Sequence, residues 1–338
     1  MKSVNDEKRL IELVAGAFPA SHLRLNKTFE SDAEVVSFSG QQMLFSIDEF
    51  SSEDMFRDED PYSLGWNVAA GAISDISACD GMPLFYGHSM VVSKAWDDVY
   101  IKKFSQGVAD VLKETETAFI GGDLGKADDW RYTAAVIGKP RNKTLSRKGA
   151  SIGDALYISG KIGTGNLEAA LKFYADDPRF KMAASLIKNR FALRIKESAI
   201  IGDYTACCID TSDGVFNSLN IISELNGVGY EISELPYIDI GSLGAWAVSL
   251  PRELLFLGEA GEYELLFSVK AEREQEMIRK AKEQGLVFYK IGKIVDSART
   301  LFNGKRSIDL SRLDIRARDF DDRKKYLEHL IRYLKEQG

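Results

Sequence analysis

Aspartates recur where strands are predicted to end and in one helix that is predicted to be buried. They are Asp32, Asp48, Asp75, Asp123, Asp210 and Asp213. Taken singly, most aspartates are solvated or cap helices. Asp75 differs, because a carboxylate on a buried helix face needs a partner or a metal. Carboxylates that converge without His or Cys form an all-oxygen ligand set, which suits Mg²⁺ and the phosphoryl transfer that Mg²⁺ supports.

Other catalytic patterns are missing from the sequence. No GxxxxGK[ST] phosphate loop, GxSxG turn or HExxH helix occurs, and the three histidines are far apart. These absences disfavour a P-loop enzyme, a serine hydrolase and a histidine-based metal site. The glycine-rich run 160–165 lacks the GxGxxG spacing, so it favours a structural turn. Three cysteines without a CxxC spacing disfavour a thiolate zinc site and a disulfide framework.

The composition bounds the kind of protein. The chain has 338 residues, 45% of them hydrophobic and 28% charged, which is typical of a soluble globular protein of two domains. Its net charge of −7 argues against nucleic acid as the main partner. No apolar run reaches the length of a membrane span, and the charged start of the chain is unlike a signal peptide. We therefore expect a cytoplasmic protein with no nucleic-acid or membrane partner.

Helices and strands alternate along the chain, which predicts two α/β or α+β lobes. Small residues over Ser63–Cys79 predict a tightly packed helix, and this helix carries Asp75. A strand at Ala118–Ile120 is predicted to end in a loop formed by Gly121-Gly122-Asp123. The basic segment Gly138–Gly153, which has little apolar content, predicts an interdomain linker.

Periodicity and β-rich runs give the remaining elements. The other predicted helices are Glu7–Phe18, Asp97–Glu116, Asn166–Tyr174, Ala183–Asn189, Leu219–Leu225 and Asp319–Gln337. The other predicted strands are Glu34–Phe38, Met43–Ile47, Tyr132–Ile137, Ala155–Ile158, Thr205–Ile209, Glu264–Val269 and Val287–Ile294, with one more ending at Val91–Val92. Turn residues between the first two strands predict a hairpin there.

Seven motifs occur in the order found in a known superfamily. They are Ser31-Asp32-Ala33, Ser46-Ile47-Asp48, Ala72-Ile73-Ser74-Asp75 with Gly81-Met82-Pro83, Gly121-Gly122-Asp123-Leu124, Arg147-Lys148-Gly149-Ala150 with Gly153-Asp154, Asp210-Thr211-Ser212-Asp213-Gly214, and Gly261-Glu262-Tyr263-Glu264-Leu265-Leu266-Phe267. Over about residues 30–295 the chain resembles the superfamily of aminoimidazole ribonucleotide synthetase, selenophosphate synthetase, the carbamoyl-dehydratase type of hydrogenase maturation protein and thiamine-monophosphate kinase. Within it, the chain most resembles the kinase.

The resemblance implies a fold and an assembly. The fold is the two-domain, aminoimidazole-ribonucleotide-synthetase-like α/β (α+β) fold, in which the N-terminal sheet forms a barrel with the sheet of a second subunit. The implied domains are residues 1–145 for ATP and Mg²⁺ binding and dimerisation, residues 146–310 for a C-terminal α/β domain, and residues 311–338 for a helical tail. The chain is thus expected to form a homodimer.

The same resemblance implies roles for individual residues. Several Mg²⁺ ions would be bound by Asp32, Ser46, Asp48, Asp75, Asp123, Asp210 and Asp213. ATP would contact Gly122, Asp123, Arg147 and Ser212. The implied activity is in-line transfer of the γ-phosphoryl group of ATP to a small molecule, without a side-chain nucleophile.

The residues that contact the acceptor in the family are not kept. Met55 stands where the family has a histidine, and Glu262 lies in an altered Gly-Glu-Asp motif, so these two positions mark the expected acceptor site. The family's aromatic clamp near the C-terminus has no counterpart in Ala317–Asp321. The sequence therefore predicts a phosphotransferase like thiamine-monophosphate kinase, with a different acceptor.

Two other functions stay open. The first is an ATP-dependent synthetase or maturation enzyme of the same superfamily, which activates an amide or carboxamide oxygen. Cys79, Cys207 and Cys208 do not resemble the mobile reactive cysteine that some of those branches use. The second is a non-catalytic regulator, which would bind ATP without turnover.

Overall fold

The computed structural model describes residues 7–54, 56, 59–178, 180–181, 190–247, 250–304, 306–313 and 315–336. These residues form two lobes of mixed α/β structure, each built on one sheet. We call residues 32–140 the N-terminal lobe and residues 155–309 the C-terminal lobe. Among the described helices, none has both the length and the apolar character that crossing a membrane requires.

The N-terminal lobe is a five-stranded sheet on which a buried helix packs. Its strands are β1 (Glu34–Phe38), β2 (Gln41–Ser51), β3 (Gly81–Ser93), β4 (Ala118–Ala127) and β5 (Arg131–Pro140). The helices of this half are α1 (Glu7–Ala15), α2 (Pro61–Ala78) and α3 (Asp98–Glu114). The strand order is β1-β2-β5-β3-β4, in which only β3 and β4 are parallel neighbours. Most residues of α2 are buried, as the sequence predicts.

The predicted hairpin joins β1 and β2. Phe38 pairs with Gln41, so Ser39 and Gly40 form a two-residue turn. Both have left-handed φ angles, 50° and 79°, which is the geometry of a type I′ turn. Such a turn fixes the register of β2, and β2 carries Asp48.

The Gly-Gly-Asp motif lies inside a strand, and the predicted loop is wrong. Strand β4 runs through Gly121, Gly122 and Asp123 and pairs with β3 on both sides of a bulge. A Cβ atom on Gly122 would lie 2.3 Å from the ring of His88 and from its carbonyl oxygen. The glycine therefore serves a close approach between neighbouring strands, a use that sequence alone does not separate from a turn.

Two glycines let α2 and α3 touch backbone to backbone. A Cβ atom on Gly65 would lie 2.0 Å from the carbonyl oxygen of Phe104, and one on Gly107 would lie 2.1 Å from that of Tyr62. Two helices can cross this closely only where side chains are absent at the contact. The contact holds α2, and with it Asp75, against the rest of the lobe.

The C-terminal lobe is a seven-stranded sheet with the order β12-β11-β8-β10-β6-β9-β7. Its strands are β6 (Ala155–Ile158), β7 (Cys208–Asp210), β8 (Gly229–Ile232), β9 (Leu265–Val269), β10 (Tyr289–Val295), β11 (Arg299–Asn303) and β12 (Arg306–Asp309). The described helices from this lobe to the C-terminus are α4 (Thr164–Phe173), α5 (Ile195–Tyr204), α6 (Val215–Asn226), α7 (Asp239–Ala247), α8 (Leu254–Leu257), α9 (Glu274–Glu283) and α10 (Arg323–Glu336). The predicted helix Ala183–Asn189 falls outside the described residues.

The segment between the lobes is not the loose linker that its composition predicts. Strand β5 extends to Pro140, and Leu145 is fully buried. Ser146 pairs with Cys207, and the amide of Arg147 donates to the carbonyl of Glu30 at 2.8 Å. Two of the basic side chains that suggested a solvated linker donate hydrogen bonds across the fold, Arg141 to Asp80 and Arg147 to Asp32, which the composition alone does not reveal. The predicted domain bounds stay a prediction.

Candidate functional site

Three of the predicted aspartates converge where the two lobes meet. Asp32 precedes β1, Asp75 lies on α2, and Asp210 ends β7. Their carboxylates each offer an oxygen, and these oxygens lie within 4.8 Å of one another. We call these three residues the carboxylate cluster. Both lobes contribute to it, since Asp210 belongs to the C-terminal lobe.

Each member of the carboxylate cluster accepts a hydrogen bond from a polar side chain. The Nη2 atom of Arg147 donates to Oδ1 of Asp32 at 2.8 Å, and both side chains are largely shielded from water. The hydroxyl of Ser46 donates to Oδ2 of Asp75 at 2.5 Å. The hydroxyl of Ser212 donates to Oδ1 of Asp210 at 2.9 Å. Arg147, Ser46 and Ser212 are therefore arranged around the cluster as supports for its carboxylates.

Two oxygens of the cluster are buried and have no hydrogen-bond partner among the residues that the structure describes. They are Oδ2 of Asp32 and Oδ2 of Asp210. Burial and the neighbouring Asp32 raise the pKa of Asp210 to about 7. Burial and the charges of Asp48 and Asp210 raise the pKa of Asp75 well above its ordinary value. A divalent cation would supply the missing partner and cancel the repulsion, so the residues present fit Mg²⁺ or a similar hard cation.

The other predicted metal ligands lie at different distances from this cluster. Asp48 on β2 is next to Asp75, and burial together with Asp210 raises the pKa of Asp48 to about 7. Asp213 follows in the loop after β7, half-buried. Asp123 is exposed on the edge strand β4, and within a single chain its carboxylate is not part of the cluster. Of the predicted ATP contacts, Arg147 and Ser212 border the cluster, whereas Gly122 lies beside His88.

Glu262 is held by the N-terminus of α4. Its carboxylate accepts hydrogen bonds from the amides of Thr164 at 2.8 Å and Asn166 at 3.5 Å. Carboxylates at this end of a helix also interact favourably with its dipole. Only 3% of Glu262 is exposed, so its carboxylate is enclosed at the start of α4, and its role as an acceptor residue stays a prediction. The other predicted acceptor residue, Met55, lies outside the described residues.

The burial of Glu262 predicts a pH-dependent stability. Burial raises the pKa of Glu262 to about 8, although backbone amides donate to it. Because this pKa is raised on folding, the stabilisation is complete below about pH 4 and is lost as the pH rises through about 8. Each unit between the folded and unfolded pKa corresponds to about 1.4 kcal/mol. Urea unfolding between pH 5 and 9 should show this loss, and Glu262→Gln should reduce it. If the unfolding free energy of Glu262→Gln depends on pH as steeply as that of the wild type, the raised pKa of Glu262 is not the cause.

Tyr263 is a site residue that sequence reasoning does not single out. It has a left-handed φ of 53°, and its ring lies 4.5 Å from that of Phe191, centroid to centroid. A Cβ atom on Gly71 or Gly261 would lie within 3.0 Å of this ring. Non-glycine residues hold such a φ only where the surroundings enforce it. The sequence signal was available, since Tyr263 lies inside the seventh motif.

A buried ion-pair network lies at the start of β9, and the sequence analysis did not predict it. Arg194 donates to Glu264 at 2.5 Å and to Glu197 at 2.7 Å, and the hydroxyl of Ser159 donates to Glu264 at 2.5 Å. Arg194 precedes α5, a helix that the sequence pattern does not indicate because Glu197, Ser198 and Gly202 interrupt its buried face. The network fixes the start of β9, the strand that pairs with Asp210.

Family models match most of the chain. The model for the N-terminal domain of AIR synthase related protein matches residues 30–139, and the model for the C-terminal domain matches residues 151–302. The chain is 27% identical to the thiamine-monophosphate kinase of Methanopyrus kandleri over 229 residues, which are 67% of this chain and 72% of the relative.

Solved structures show the same fold. The structure described as AaThiL complexed with AMPPCP and TMP has a TM-score of 0.72 at 22% identity, covering 88% of this chain and 92% of its own. The hydrogenase maturation protein HypE of E. coli has a TM-score of 0.66 at 17% identity, covering 91% and 98%. The two domain models together cover well over half of the sequence. The chain therefore belongs to the AIR synthase related family.

Proposed function

We propose that the chain is a Mg²⁺- and ATP-dependent phosphotransferase of the thiamine-monophosphate kinase type, with an acceptor other than thiamine monophosphate. Similarity to several thiamine-monophosphate kinases makes it an ATP-dependent kinase. The similar structure AaThiL was solved with the ATP analogue AMPPCP, which supports a nucleotide site in this fold. The observation that carries the proposal is the carboxylate cluster, in which Oδ2 of Asp32 and Oδ2 of Asp210 are buried and have no hydrogen-bond partner in the described part of the chain.

The residues of the cluster divide the work of phosphoryl transfer. Asp32, Asp75 and Asp210 would hold Mg²⁺, with Asp48 and Asp213 next in reach. When bound, Mg²⁺ neutralises charge on the phosphates of ATP. Arg147 keeps a fixed positive charge beside the cluster because Asp32 holds its guanidinium through two hydrogen bonds. With both reactants held in place, positioning supplies most of the rate, and no side chain has to act as a nucleophile.

Binding of ATP is expected to require Mg²⁺. The cluster repels the phosphates of ATP unless a cation lies between the two sets of negative charge. Calorimetry with and without EDTA measures this directly. Saturating Mg-ATP should also raise the melting temperature, since a ligand at a hundred times its Kd stabilises the folded state by about 2.7 kcal/mol. Tight ATP binding in EDTA, or no binding in Mg²⁺, would contradict the proposal.

The acceptor is proposed to differ from thiamine monophosphate for two reasons. Met55 replaces the histidine that the family uses at that position, and the carboxylate of Glu262 is occupied by the amides at the start of α4. A missing polar partner in a substrate site costs on the order of 1–3 kcal/mol. Weak or absent formation of thiamine diphosphate is therefore expected. A turnover of about one per second at micromolar thiamine monophosphate, an ordinary enzyme rate, would overturn this part of the proposal.

The cysteines support a kinase over a cysteine-dependent maturation enzyme. Cys79, Cys207 and Cys208 are all buried, and burial raises the pKa of Cys79 and Cys208 well above the ordinary thiol value. A reactive cysteine needs an accessible thiolate. Three unpaired cysteines also suit a reducing compartment, and we place the protein in the cytoplasm as part of the proposal.

We also propose a homodimer formed through the N-terminal sheet. Large apolar side chains are exposed on its edge strand β4, at Phe119 (53%), Ile120 (61%) and Leu124 (70%). Exposed apolar edges of this kind favour association. We expect light scattering at micromolar concentration to give a dimer burying more than ~1,000 Å². Leu124→Lys should weaken it, whereas Val99→Lys on α3, at a similarly exposed position, should not. A wild-type monomer would contradict the proposal.

A further inference from the structure

A cavity of about 280 Å³ extends to Ser212, the residue that donates to Asp210 of the carboxylate cluster. Ser212 and Asp213, which follow Asp210 in the chain, form part of its wall. The cavity continues between α4, α7 and the C-terminal helix α10. At about 30 Å³ for each water-sized group, it has room for roughly nine non-hydrogen atoms. A molecule held there would lie beside Ser212, whose hydroxyl donates to Asp210 of the cluster.

The buried part of the wall is apolar. Leu167, Phe180 and Leu254 are buried, and Ala170, Phe173 and Leu250 are half-buried. Side chains of this kind stabilise a ligand by removing its apolar surface from water. These six side chains carry no hydrogen-bonding group for a sugar or a phosphate.

Two polar side chains of the wall, Asn166 and Tyr326, form hydrogen bonds with the protein itself. Asn166 donates to the carbonyls of Leu255 and Gly258, and its side-chain oxygen accepts from the amide of Ala260. The hydroxyl of Tyr326 donates to the carbonyl of Leu257 at 3.2 Å. A polar ligand that paired with either side chain would have to break these hydrogen bonds.

The charged side chains of the wall are half-buried or exposed, so they lie toward solvent. Four are carboxylates and two are guanidinium groups, namely Glu53, Asp54, Asp213, Glu259, Arg318 and Arg323. Arg323 already donates to the carbonyl of Glu53, and Glu259 accepts from the amide of Ala317. Among the described residues of the wall, carboxylates thus outnumber positive charges, which disfavours an acceptor that already carries a phosphate.

We propose that this cavity holds the body of the phosphoryl acceptor, and that the acceptor is a neutral alcohol with an apolar body of roughly nine non-hydrogen atoms. The inference rests on the proposed phosphotransferase function. The hydroxyl oxygen of the acceptor forms a bond to the γ-phosphorus of ATP, and the bond from that phosphorus to the β,γ-bridging oxygen breaks. ADP leaves with the electron pair, and the hydroxyl proton passes to solvent.

The test uses 4-fluorobenzyl alcohol, which has nine non-hydrogen atoms and a fluorine signal, with the full-length protein. Fluorine NMR titration in Mg²⁺ and AMPPCP measures its binding, and a coupled assay measures ADP release with Mg-ATP. Ala170→Leu places a larger side chain in the cavity and should weaken probe binding at least about tenfold. Gly244→Ala adds a methyl group whose nearest neighbour, a Leu167 methyl, lies at 3.7 Å, so it tests the same wall without a steric clash.

Controls separate this inference from the function on which it rests. Ala271→Leu is the same exchange at an exposed residue outside the cavity, and it should leave probe binding unchanged. Mg-ATP affinity should stay within about twofold of wild type in all three variants. The acceptor assignment would be overturned, while Mg-ATP binding persists, by either of two results. One is probe binding that is unchanged in Ala170→Leu, and the other is binding of 3-deoxy-3-fluoroglucose as tight as that of the probe. Loss of Mg-ATP binding in the wild-type protein would instead overturn the proposed function.

Discussion

Replacement of Asp75 by Asn is expected to weaken Mg²⁺-dependent ATP binding at least about tenfold and to lower ADP formation at least about a hundredfold. Asn keeps the volume of Asp but removes one negative charge from the carboxylate cluster. The cation then loses an ionic ligand, and the γ-phosphate loses part of the charge neutralisation that transfer requires. Ser46 donates to Oδ2 of Asp75, and the amide of Asn can still accept this bond through its oxygen.

The same variant should be more stable than the wild type when the cation is removed. Burial and the neighbouring Asp48 and Asp210 raise the pKa of Asp75 well above its ordinary value, which shows that a charge is costly at this position. Thermal melts in EDTA measure the gain, and melts in Mg²⁺ should show it shrink or reverse. Asp129→Asn, at an exposed position outside the cluster, is the matched control. Full activity in Asp75→Asn would refute the metal role.

Alanine at Gly65 or Gly107 is expected to cost about 3 kcal/mol of unfolding free energy or more. Either new methyl group would lie about 2 Å from a backbone carbonyl oxygen of the other helix, and a backbone cannot rotate away as a flexible side chain can. The helices α2 and α3 would have to separate, which moves the segment that carries Asp75. Urea unfolding should therefore show lower stability, and calorimetry should show weaker Mg-ATP binding.

A double-mutant cycle sharpens this prediction. Both glycines serve the same helix contact, so the double variant should lose less than the sum of the two single losses. Gly125→Ala is the control, since its new methyl group would meet a side-chain methyl of Val91 at 3.4 Å, close to ordinary contact. Two results would show that the close contact between α2 and α3 is not the cause of the lost stability. One is strict additivity of the two single losses of unfolding free energy, and the other is an equally large loss in Gly125→Ala.

Sequence patterns within a few residues correctly predicted the elements whose conformation depends mainly on those residues. Strands β1 and β6 begin and end at the predicted residues, and the hairpin follows from the turn residues Ser39 and Gly40. The buried helix α2 follows from its small residues, because a helix that packs on all sides needs them. The same patterns fail at Gly122, where a glycine serves contact with His88 on a neighbouring strand.

The site was predictable to the extent that each of its residues carries its own motif. Asp32, Asp75 and Asp210 each lie in a short pattern, and the structure places their carboxylates together. Arg194 and Glu197 carry no such pattern, and their importance comes from the buried Glu264 that they meet across the fold. The cavity was not predictable either, because its wall combines residues from segments far apart in the chain.

The division of the carboxylate cluster between the lobes has a thermodynamic consequence. A cation that needs Asp32, Asp75 and Asp210 together binds only when the lobes are docked, so docking and cation binding strengthen each other by the same free energy. The lobes also meet at remote contacts, such as the bond from the Trp66 indole to the carbonyl of Phe191 at 2.8 Å. By reciprocity, a change that loosens this contact should lower the affinity for the proposed cation without touching a ligand, and that affinity would then report how firmly the two halves are joined.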